Sequence, residues 1–277
     1  MTTVPTRRLP SGDEFPLVGF GTYDIDPKQT TEAVRTALEA DYRHVDCAEG
    51  YGNEREVGEA IADYDREELF LTSKVLPKHL HYESLIAACR DSLDRLGTDY
   101  LDLYLIHWPN PAISLRETLS AMAKLVDEGL VRNIGVSNFS PYQLRFARHI
   151  SELPLATNQV ELHPWFTQSD LREYAAETDL QLTAAAPLAR TKVFDDPVVQ
   201  DLADAYDKTP AQIVIRWQIQ HGIATIPRST TPDHIESNLA VTGWELDSDD
   251  MDRIDAIDRR ERQYMVDPTH PRYGISR

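Results

Sequence analysis

Four ionisable side chains stand at or just past the carboxyl ends of three successive apolar segments. They are an acid, a phenol, an ammonium and an imidazole, namely Asp46, Tyr51, Lys74 and His107. The carboxyl ends of parallel strands meet on one face of an α/β barrel, so we expect the four groups to converge in one pocket. Together they suit the protonation of an oxygen that becomes an alkoxide, which is the chemistry of carbonyl reduction.

Each of the four groups has a distinct predicted role. Tyr51 is a weak acid with an ordinary pKa of about 10, and an adjacent ammonium favours the phenolate and makes the phenol a better proton donor. Asp46, paired with Lys74, keeps that ammonium charged in a pocket that would otherwise favour the neutral amine. His107 can orient the carbonyl oxygen that receives the proton. The residues therefore predict general acid catalysis by Tyr51.

Structural roles or a different chemistry could also account for these residues. An Asp–Lys pair is often purely structural, Tyr51 could anchor a loop, and His107 could end a buried strand. A lysine at a strand end is also the nucleophile of Schiff-base aldolases, in which Lys74 would attack a carbonyl. Asp46 argues against the aldolase, because an ion pair holds the amine in its unreactive protonated form.

Alternating strands and helices must position these groups. Eight short apolar runs alternate with amphipathic helical stretches, which is typical of parallel α/β architecture. We therefore predict a (β/α)₈ TIM barrel, a single domain over residues 1–277, with an N-terminal β-hairpin around Ser11-Gly12 and extra C-terminal helices. The predicted strands are Val18–Phe20, Arg43–Val45, Leu69–Ser73, Leu101–Ile106, Val131–Val136, Ala156–Val160, Gln181–Ala185 and Ile223–Ile226.

Two predicted helices lie outside the simple strand–helix repeat. One runs from Thr209 to Gln220, before the eighth strand, and a strongly charged final helix spans Asp247–Arg259. A tail rich in Arg, Tyr and Pro continues to Arg277. It could lie across the barrel mouth or be a disordered end.

The composition excludes several classes of partner. The chain has 46 acidic residues against 28 lysines and arginines, and its net charge of −18 repels nucleic acid and anionic membranes. No run approaches the roughly 20 apolar residues of a membrane span, and the amino terminus lacks an apolar signal core. Two cysteines give no disulfide framework, so we expect a cytoplasmic protein.

The excess of acidic residues suggests an adaptation to salt. A high-salt cytoplasm would favour an acidic surface, because salt screens the repulsion among like charges. A melting temperature that does not respond to KCl concentration would contradict this hypothesis.

Three further motifs carry weaker signals. His79-Leu80-His81 lacks partner ligands, so we predict no metal site. No base is placed to activate Cys47, which is predicted to be a small core residue. Gly19-Phe20-Gly21 lacks the third glycine of a dinucleotide fingerprint, so a nicotinamide cofactor must bind on barrel loops if it binds here.

Three segments combine specific residues with a specific order along the chain. They are Asp41–Gly58 (DYRHVDCAEGYGNEREVG), Leu130–Phe139 (LVRNIGVSNF) and Ile226–Val241 (IPRSTTPDHIESNLAV). Together they resemble the signatures of the aldo-keto reductase family, and the likeness extends over nearly the whole chain. The chain looks most like prokaryotic members of the 2,5-diketo-D-gluconate reductase type.

The resemblance implies reduction of an aldehyde or ketone by hydride transfer from NADPH. It implies the same four catalytic roles for Asp46, Tyr51, Lys74 and His107. The substrate-binding residues that it implies are Tyr23, His107 and Trp108, with Trp165 as a further candidate. The cofactor-binding residues that it implies are Gly21, Thr22, Ser137, Asn138, Gln159, Pro187, Leu188, Arg228, Ser229, Thr231, His234 and Asn238.

Two departures from the family pattern bear on the cofactor. Ala185 stands where the family usually has an aromatic stacked on the nicotinamide, a contact worth about 0.5–1.5 kcal/mol. His234 stands where arginine is typical, and a neutral imidazole cannot supply a fixed bidentate cation. Arg228 still provides one charge, so we predict use of NADPH with tolerance of NADH.

The remaining expectations concern the substrate and the assembly. Helical pattern resumes by Leu115, so the loop after His107 is short, and small polar or dicarbonyl substrates fit a shallow mouth better than steroids. We expect a monomer whose partner is a small-molecule carbonyl. The alternative is a nicotinamide-binding module without catalysis, which would not need a proton donor.

Overall fold

The computed structural model describes residues 4–263, and its centre is a closed barrel of eight parallel strands. A short antiparallel hairpin, β1 with β2, precedes the barrel. The strands are β1 (Thr6–Arg8), β2 (Glu14–Pro16), β3 (Phe20–Gly21), β4 (His44–Asp46), β5 (Phe70–Val75), β6 (Leu101–Ile106), β7 (Val131–Ser137), β8 (Thr157–Glu161), β9 (Gln181–Ala185) and β10 (Ala224–Thr225).

The barrel closes where its first and last strands meet. The strands follow chain order from β3 to β10, and a parallel bridge from Val18 to Thr225 joins the two ends. At this seam the Gly21 amide donates to the Pro227 carbonyl at 3.1 Å. A Cβ on Gly21 would lie 2.6 Å from the carbonyl oxygen of Ile226, so only glycine allows this close approach.

Helices surround the barrel, and local sequence signals set their ends. Pro141 begins one helix behind a capping box made by Ser140 and Gln143, and Gly97 ends another in the left-handed conformation. The α-helices within residues 4–263 are α1 (Pro27–Glu39), α2 (Glu54–Ile61), α3 (Tyr82–Leu96), α4 (Leu115–Asp127), α5 (Pro141–Ile150), α6 (Ser169–Thr178), α7 (Pro197–Tyr206), α8 (Pro210–Gln220), α9 (Pro232–Leu239) and α10 (Ser248–Asp255).

The fold predicted from the sequence is confirmed in its main features. The hairpin, the eight parallel strands and the added helices α8 and α10 all form. β5 extends to Val75, past the predicted end at Ser73, so Lys74 lies within the strand. The tail beyond residue 263, for which the sequence left two possibilities open, lies outside the described residues.

The predicted length of the final helix is wrong. It ends at Asp255, four residues before the predicted Arg259. The amides of Arg259 and Glu261 donate to the carbonyl of Trp165 instead of continuing the helix. These backbone amides therefore bond to a residue distant in sequence, a contact that the local sequence pattern could not reveal.

The main core lies between the barrel and the inward faces of its helices. α3 contributes Leu85, Leu93 and Leu96 at helical spacing, and all of β6 is buried. Within residues 4–263, no helix combines the length and the apolar character that crossing a membrane requires.

Candidate active site

A buried ion pair forms the floor of the pocket at the carboxyl ends of the strands. Lys74 has no exposed surface, and its Nζ lies 2.5 Å from Oδ1 of Asp46, which is 1% exposed. The ammonium also donates to the Cys47 carbonyl at 2.8 Å and to Oη of Tyr51 at 3.2 Å. Three acceptors match its three protons, which is what a buried cation needs to remain charged.

The second oxygen of Asp46 is held from across the barrel. Gln159, in the middle of β8, donates from Nε2 to Oδ2 of Asp46 at 2.7 Å. Its neighbour Ser137 donates from Oγ to the Gln159 carbonyl at 2.7 Å. Both oxygens of Asp46 are therefore fixed. Gln159, which the sequence assigned only to the cofactor, also positions the carboxylate of the floor.

Tyr51 reaches the ammonium from a short 3₁₀ turn, Glu49–Tyr51, that follows β4. Glu49 anchors this turn, because its Oε2 accepts from the Leu76 amide at 3.0 Å and its Oε1 lies 2.6 Å from Nδ1 of His79. The His107 ring packs edge-on against the Tyr51 ring with their centroids 5.6 Å apart. The phenol, ammonium and imidazole therefore meet at one point.

A neutral histidine lies beneath the floor. His44 is two residues before Asp46 on β4 and is fully buried. Its Nε2 lies 3.1 Å from Oγ1 of Thr72. Burial lowers the pKa of His44 to about 4, although the charge of Asp46 opposes the shift. Gly19 leaves the space that this ring fills, since a Cβ there would overlap the imidazole.

A pocket of about 710 Å³ opens above the floor. Its lining brings together most of the residues that the sequence predicted. Those that line it are Gly21, Tyr23, Asp46, Tyr51, His107, Trp108, Ser137, Asn138, Gln159, Pro187, Leu188, Arg228, Ser229 and His234. Ala185, the small residue at the position where the family usually has an aromatic, lines it as well.

Four predicted residues lie behind or beside the lining. Lys74 has no exposed surface, and Thr22 is buried with its hydroxyl donating to the Asp46 carbonyl at 3.1 Å. Thr231 is exposed immediately before α9, and Asn238 is buried within that helix.

Trp165 does not line the pocket, in contrast to its suggested role as a substrate wall. It is 8% exposed, and its indole N–H donates to Asp196 at 2.9 Å. The guanidinium of Arg259 lies 4.3 Å from the centre of its ring and also pairs with Asp196. Trp165 is therefore an anchor between the loop after β8 and the segment after α10.

The His79–His81 segment connects the 3₁₀ turn Pro77–His79 to α3. His79 pairs with Glu49, and His81 contacts Glu117 at 3.2 Å. Within residues 4–263, no group of three or more His, Cys, Asp or Glu is arranged to hold a metal ion.

Sequence reasoning missed several residues of the outer pocket. Asp24 and Arg190 carry charge there, and no motif singled them out. The residues that line the pocket without having been predicted are Asp24, Ala186, Arg190, Thr191, Ile226, Pro227 and Thr230. The only indication of their role in the sequence was that they lie close in sequence to predicted site residues such as Tyr23, Leu188 and Arg228.

The segment after β9 has an unusual backbone. Ala186, Ala189, Arg190 and Thr191 all adopt positive φ, between 46° and 69°, although none is glycine. Such a conformation is unfavourable for residues with a Cβ, most of all for β-branched Thr191. Buried Ala189 and Val193 pack against Trp165, so tertiary contacts hold the strained segment at the pocket rim.

Comparison with known proteins gives a consistent result. The sequence pattern of the aldo/keto reductase family matches residues 17–259. The chain is 43% identical over 261 residues to an uncharacterized oxidoreductase, YtbE, of Bacillus subtilis, covering 92% of this chain and 93% of that one. It is 41% identical over 260 residues to the glyoxal reductase of the same organism, covering 93% and 94%.

A solved structure extends the comparison to three dimensions. The Bombyx mori aldo-keto reductase in complex with NADP superposes with a TM-score of 0.91 at 31% identity, and the match covers 96% of each chain. The likeness therefore includes the whole barrel as well as the short signature segments.

Proposed function

The chain belongs to the aldo/keto reductase family, and from this premise we propose that it reduces an aldehyde or ketone to the alcohol with NADPH, using Tyr51 as the proton donor. The observation that carries the proposal is the Lys74 ammonium, held 2.5 Å from Asp46 and 3.2 Å from the Tyr51 hydroxyl. The chain is an oxidoreductase that uses NADPH.

The residues of the pocket fit such a cofactor. A volume of about 710 Å³ is within the usual range of roughly 300–1,000 Å³ for ligand sites. Amide and hydroxyl groups of Ser137, Asn138 and Gln159 gather at the floor, where they would hold a carboxamide. Arg228 and Ser229 at the mouth would hold a phosphate. When bound, the cofactor supplies the hydride that is added to the carbonyl carbon.

The chain's own part in the reaction is the delivery of a proton. As negative charge develops on the carbonyl oxygen, Tyr51 donates its hydroxyl proton, so that oxygen gains a proton while carbon gains a hydride. The Lys74 ammonium stabilises the phenolate that is left behind. Asp46 and the Cys47 carbonyl keep the ammonium fixed, so the site needs little reorganisation during the step.

Substrate positioning falls to the aromatic groups around Tyr51. His107 and Trp108 line one side, and the Tyr23 ring packs edge-on against Tyr51 with the centroids 5.1 Å apart. We propose that His107 orients the carbonyl oxygen towards the phenol.

The expected substrates are small. α4 begins at Leu115, so residues 107–114 form a short loop at the mouth. The name of the Bacillus subtilis relative, glyoxal reductase, supports the choice of small dicarbonyls. Small polar aldehydes and dicarbonyls are therefore preferred over steroids in this proposal.

An aldolase with a Schiff-base lysine is disfavoured. Lys74 has no exposed surface and is covered by Asp46 and Tyr51, so a carbonyl carbon cannot reach its Nζ. Borohydride should therefore trap no substrate adduct on this lysine.

Oxidation of NADPH by a panel of carbonyls tests the proposed function. Glyoxal, methylglyoxal, glyceraldehyde and a steroid ketone span the sizes of interest. We expect NADPH consumption matched by alcohol formation, with the dicarbonyls giving higher kcat/KM than the steroid. No consumption with any member, under both low-salt and high-salt conditions, would overturn the proposal.

A further inference from the structure

The outer mouth of the pocket contains an ion pair that is relevant to the relative affinity for NADPH and NADH. Asp24 and Arg228 both line the pocket, and Oδ2 of Asp24 lies 3.3 Å from Nη2 of Arg228. They are 204 residues apart in sequence. We propose that Asp24 is a selectivity residue: by holding Arg228, it weakens the binding of NADPH relative to NADH. This inference rests on the proposed function.

The two side chains project from a rigid seam. Asp24 follows β3 and Arg228 follows β10, the first and last strands of the barrel, which meet where the barrel closes. The Gly21 amide donates to the Pro227 carbonyl at 3.1 Å and fixes the spacing of the two loops. The pairing is therefore a consequence of barrel closure.

The turn that carries Asp24 is itself anchored on both sides. Thr22 is fully buried before it, and Ile25 is 4% exposed after it. Asp24 adopts a left-handed backbone with φ of 59°. Its carboxylate therefore remains at the pocket rim beside Arg228.

Few other charges line this mouth within the described part of the chain. Arg190 lines the pocket from the strained segment after β9, and His234 replaces the arginine that is typical of the family at the start of α9. Arg228 is thus the main candidate to bind the 2′-phosphate that distinguishes NADPH from NADH. A carboxylate already engages that guanidinium, so the phosphate must compete for it.

The chemistry of the two cofactors predicts the sign of the effect. A phosphate next to Asp24 adds like-charge repulsion, whereas a ribose hydroxyl can donate a hydrogen bond to a carboxylate. Dinucleotide sites elsewhere use the same logic, with an acid for NAD and an arginine for NADP. The side chains of Arg228 and Asp24 are 46% and 65% exposed, so the effect of the pair on folding is small and its effect on binding is the one to measure.

Two nucleotide fragments isolate the 2′-phosphate. Adenosine 2′,5′-bisphosphate carries it and 5′-AMP does not, and calorimetry gives the Kd of each without any turnover. Asp24→Asn is the test variant, because asparagine tolerates the left-handed backbone. Glu152→Gln removes the same charge from an exposed site after α5, at the opposite end of the barrel.

We expect Asp24→Asn to lower the Kd of the bisphosphate by about 3–10-fold, while the Kd of AMP changes less than about twofold. Glu152→Gln should leave both within about twofold. Equal changes for the two fragments, or no change for either, would overturn the inference. In an Arg228→Gln background the gain from Asp24→Asn should shrink, and an undiminished gain would also overturn it.

The outcome separates this inference from the proposed function. If the wild-type chain binds neither fragment nor NADP⁺, the proposed function fails. If it binds both and turns over carbonyls, but Asp24→Asn does not discriminate between the fragments, only the selectivity role of Asp24 fails.

Discussion

The floor and the mouth of the pocket are built in opposite ways. At the floor, Asp46 and Lys74 are fully buried and bonded to protein groups on every side. At the mouth, Asp24 and Arg228 form a longer pair that is about half exposed. The segment after β9 beside them is held in a strained backbone.

This difference separates two tasks. The floor is fixed by strand ends, and in the proposed function it carries the proton transfer, which requires little reorganisation. The mouth consists of loops, and in the proposed function it binds the part of the cofactor far from the reaction. Changes at the floor should therefore affect turnover and folding strongly, and changes at the mouth should shift affinity by small factors.

The largest expected effect comes from removing the hydroxyl of Tyr51, the proposed proton donor. Tyr51→Phe keeps the ring and its packing but loses the hydroxyl that Lys74 contacts, so kcat should fall at least about 10³-fold while the Kd for NADPH changes less than threefold. Steady-state kinetics and fluorescence titration measure the two quantities. Tyr142→Phe, at a tyrosine that is 78% exposed on α5, is the matched control and should leave both unchanged. Near-normal turnover of Tyr51→Phe would refute the assigned role.

Breaking the buried ion pair should cost both stability and activity. Lys74→Met leaves the Asp46 carboxylate buried without its cation, which typically costs about 3–5 kcal/mol of unfolding free energy. Urea denaturation measures this loss.

A double variant separates folding from catalysis at the same site. Lys74→Met combined with Asp46→Asn removes both charges, so most of the stability should return while kcat stays low. If the double variant is as unstable as the single one, the loss does not come from the unpaired carboxylate.

His44 makes the floor sensitive to acid. Its folded pKa of about 4 lies below the unfolded value of about 6.5, so the unfolded state binds more protons between these values. The resulting stability, about 3 kcal/mol, is complete above pH 6.5 and is lost as the pH falls towards 4. The urea midpoint should therefore fall more between pH 7 and pH 4.5 for the wild type than for His44→Gln. An equal fall in midpoint for the two proteins would contradict the assignment of His44 as a buried neutral histidine.

The smallest effect is expected at the strained rim. Thr191→Gly relieves a β-branched residue at φ of 69° and should raise the free energy of unfolding by about 0.5–1 kcal/mol. Ala176→Gly, at an exposed position near the carboxyl end of α6, should lower it by up to a similar amount. Thermal unfolding of both variants tests this contrast, and destabilisation by Thr191→Gly would mean that the threonine side chain contributes more than the strain costs.

Sequence patterns predicted the floor better than the mouth, for a physical reason. Asp46, Lys74 and His107 each follow or end a local apolar run, and barrel topology then brings strand ends together. The turn that carries Tyr51 could be placed in the same way. The sequence therefore predicted the fold and placed these four residues in one pocket.

Contacts between distant residues could not be predicted in this way. The bond from Gln159 to Asp46 depends on which strands face each other across the barrel, and the pair of Asp24 with Arg228 depends on where the barrel closes and how its loops turn. The left-handed backbone at Thr191 could not be predicted, because no glycine occupies that position. The early end of α10 depends on a carbonyl of Trp165, far away in sequence.

Isotope transfer tests the central claim most directly. NADPH that carries deuterium at the transferring C4 position of its nicotinamide, mixed with the wild-type enzyme and methylglyoxal, should give an alcohol with one deuterium on the carbinol carbon. Tyr51→Phe should transfer the label at least about 10³-fold more slowly. An unlabelled alcohol from the wild type, or label transfer at an equal rate by Tyr51→Phe, would contradict the account.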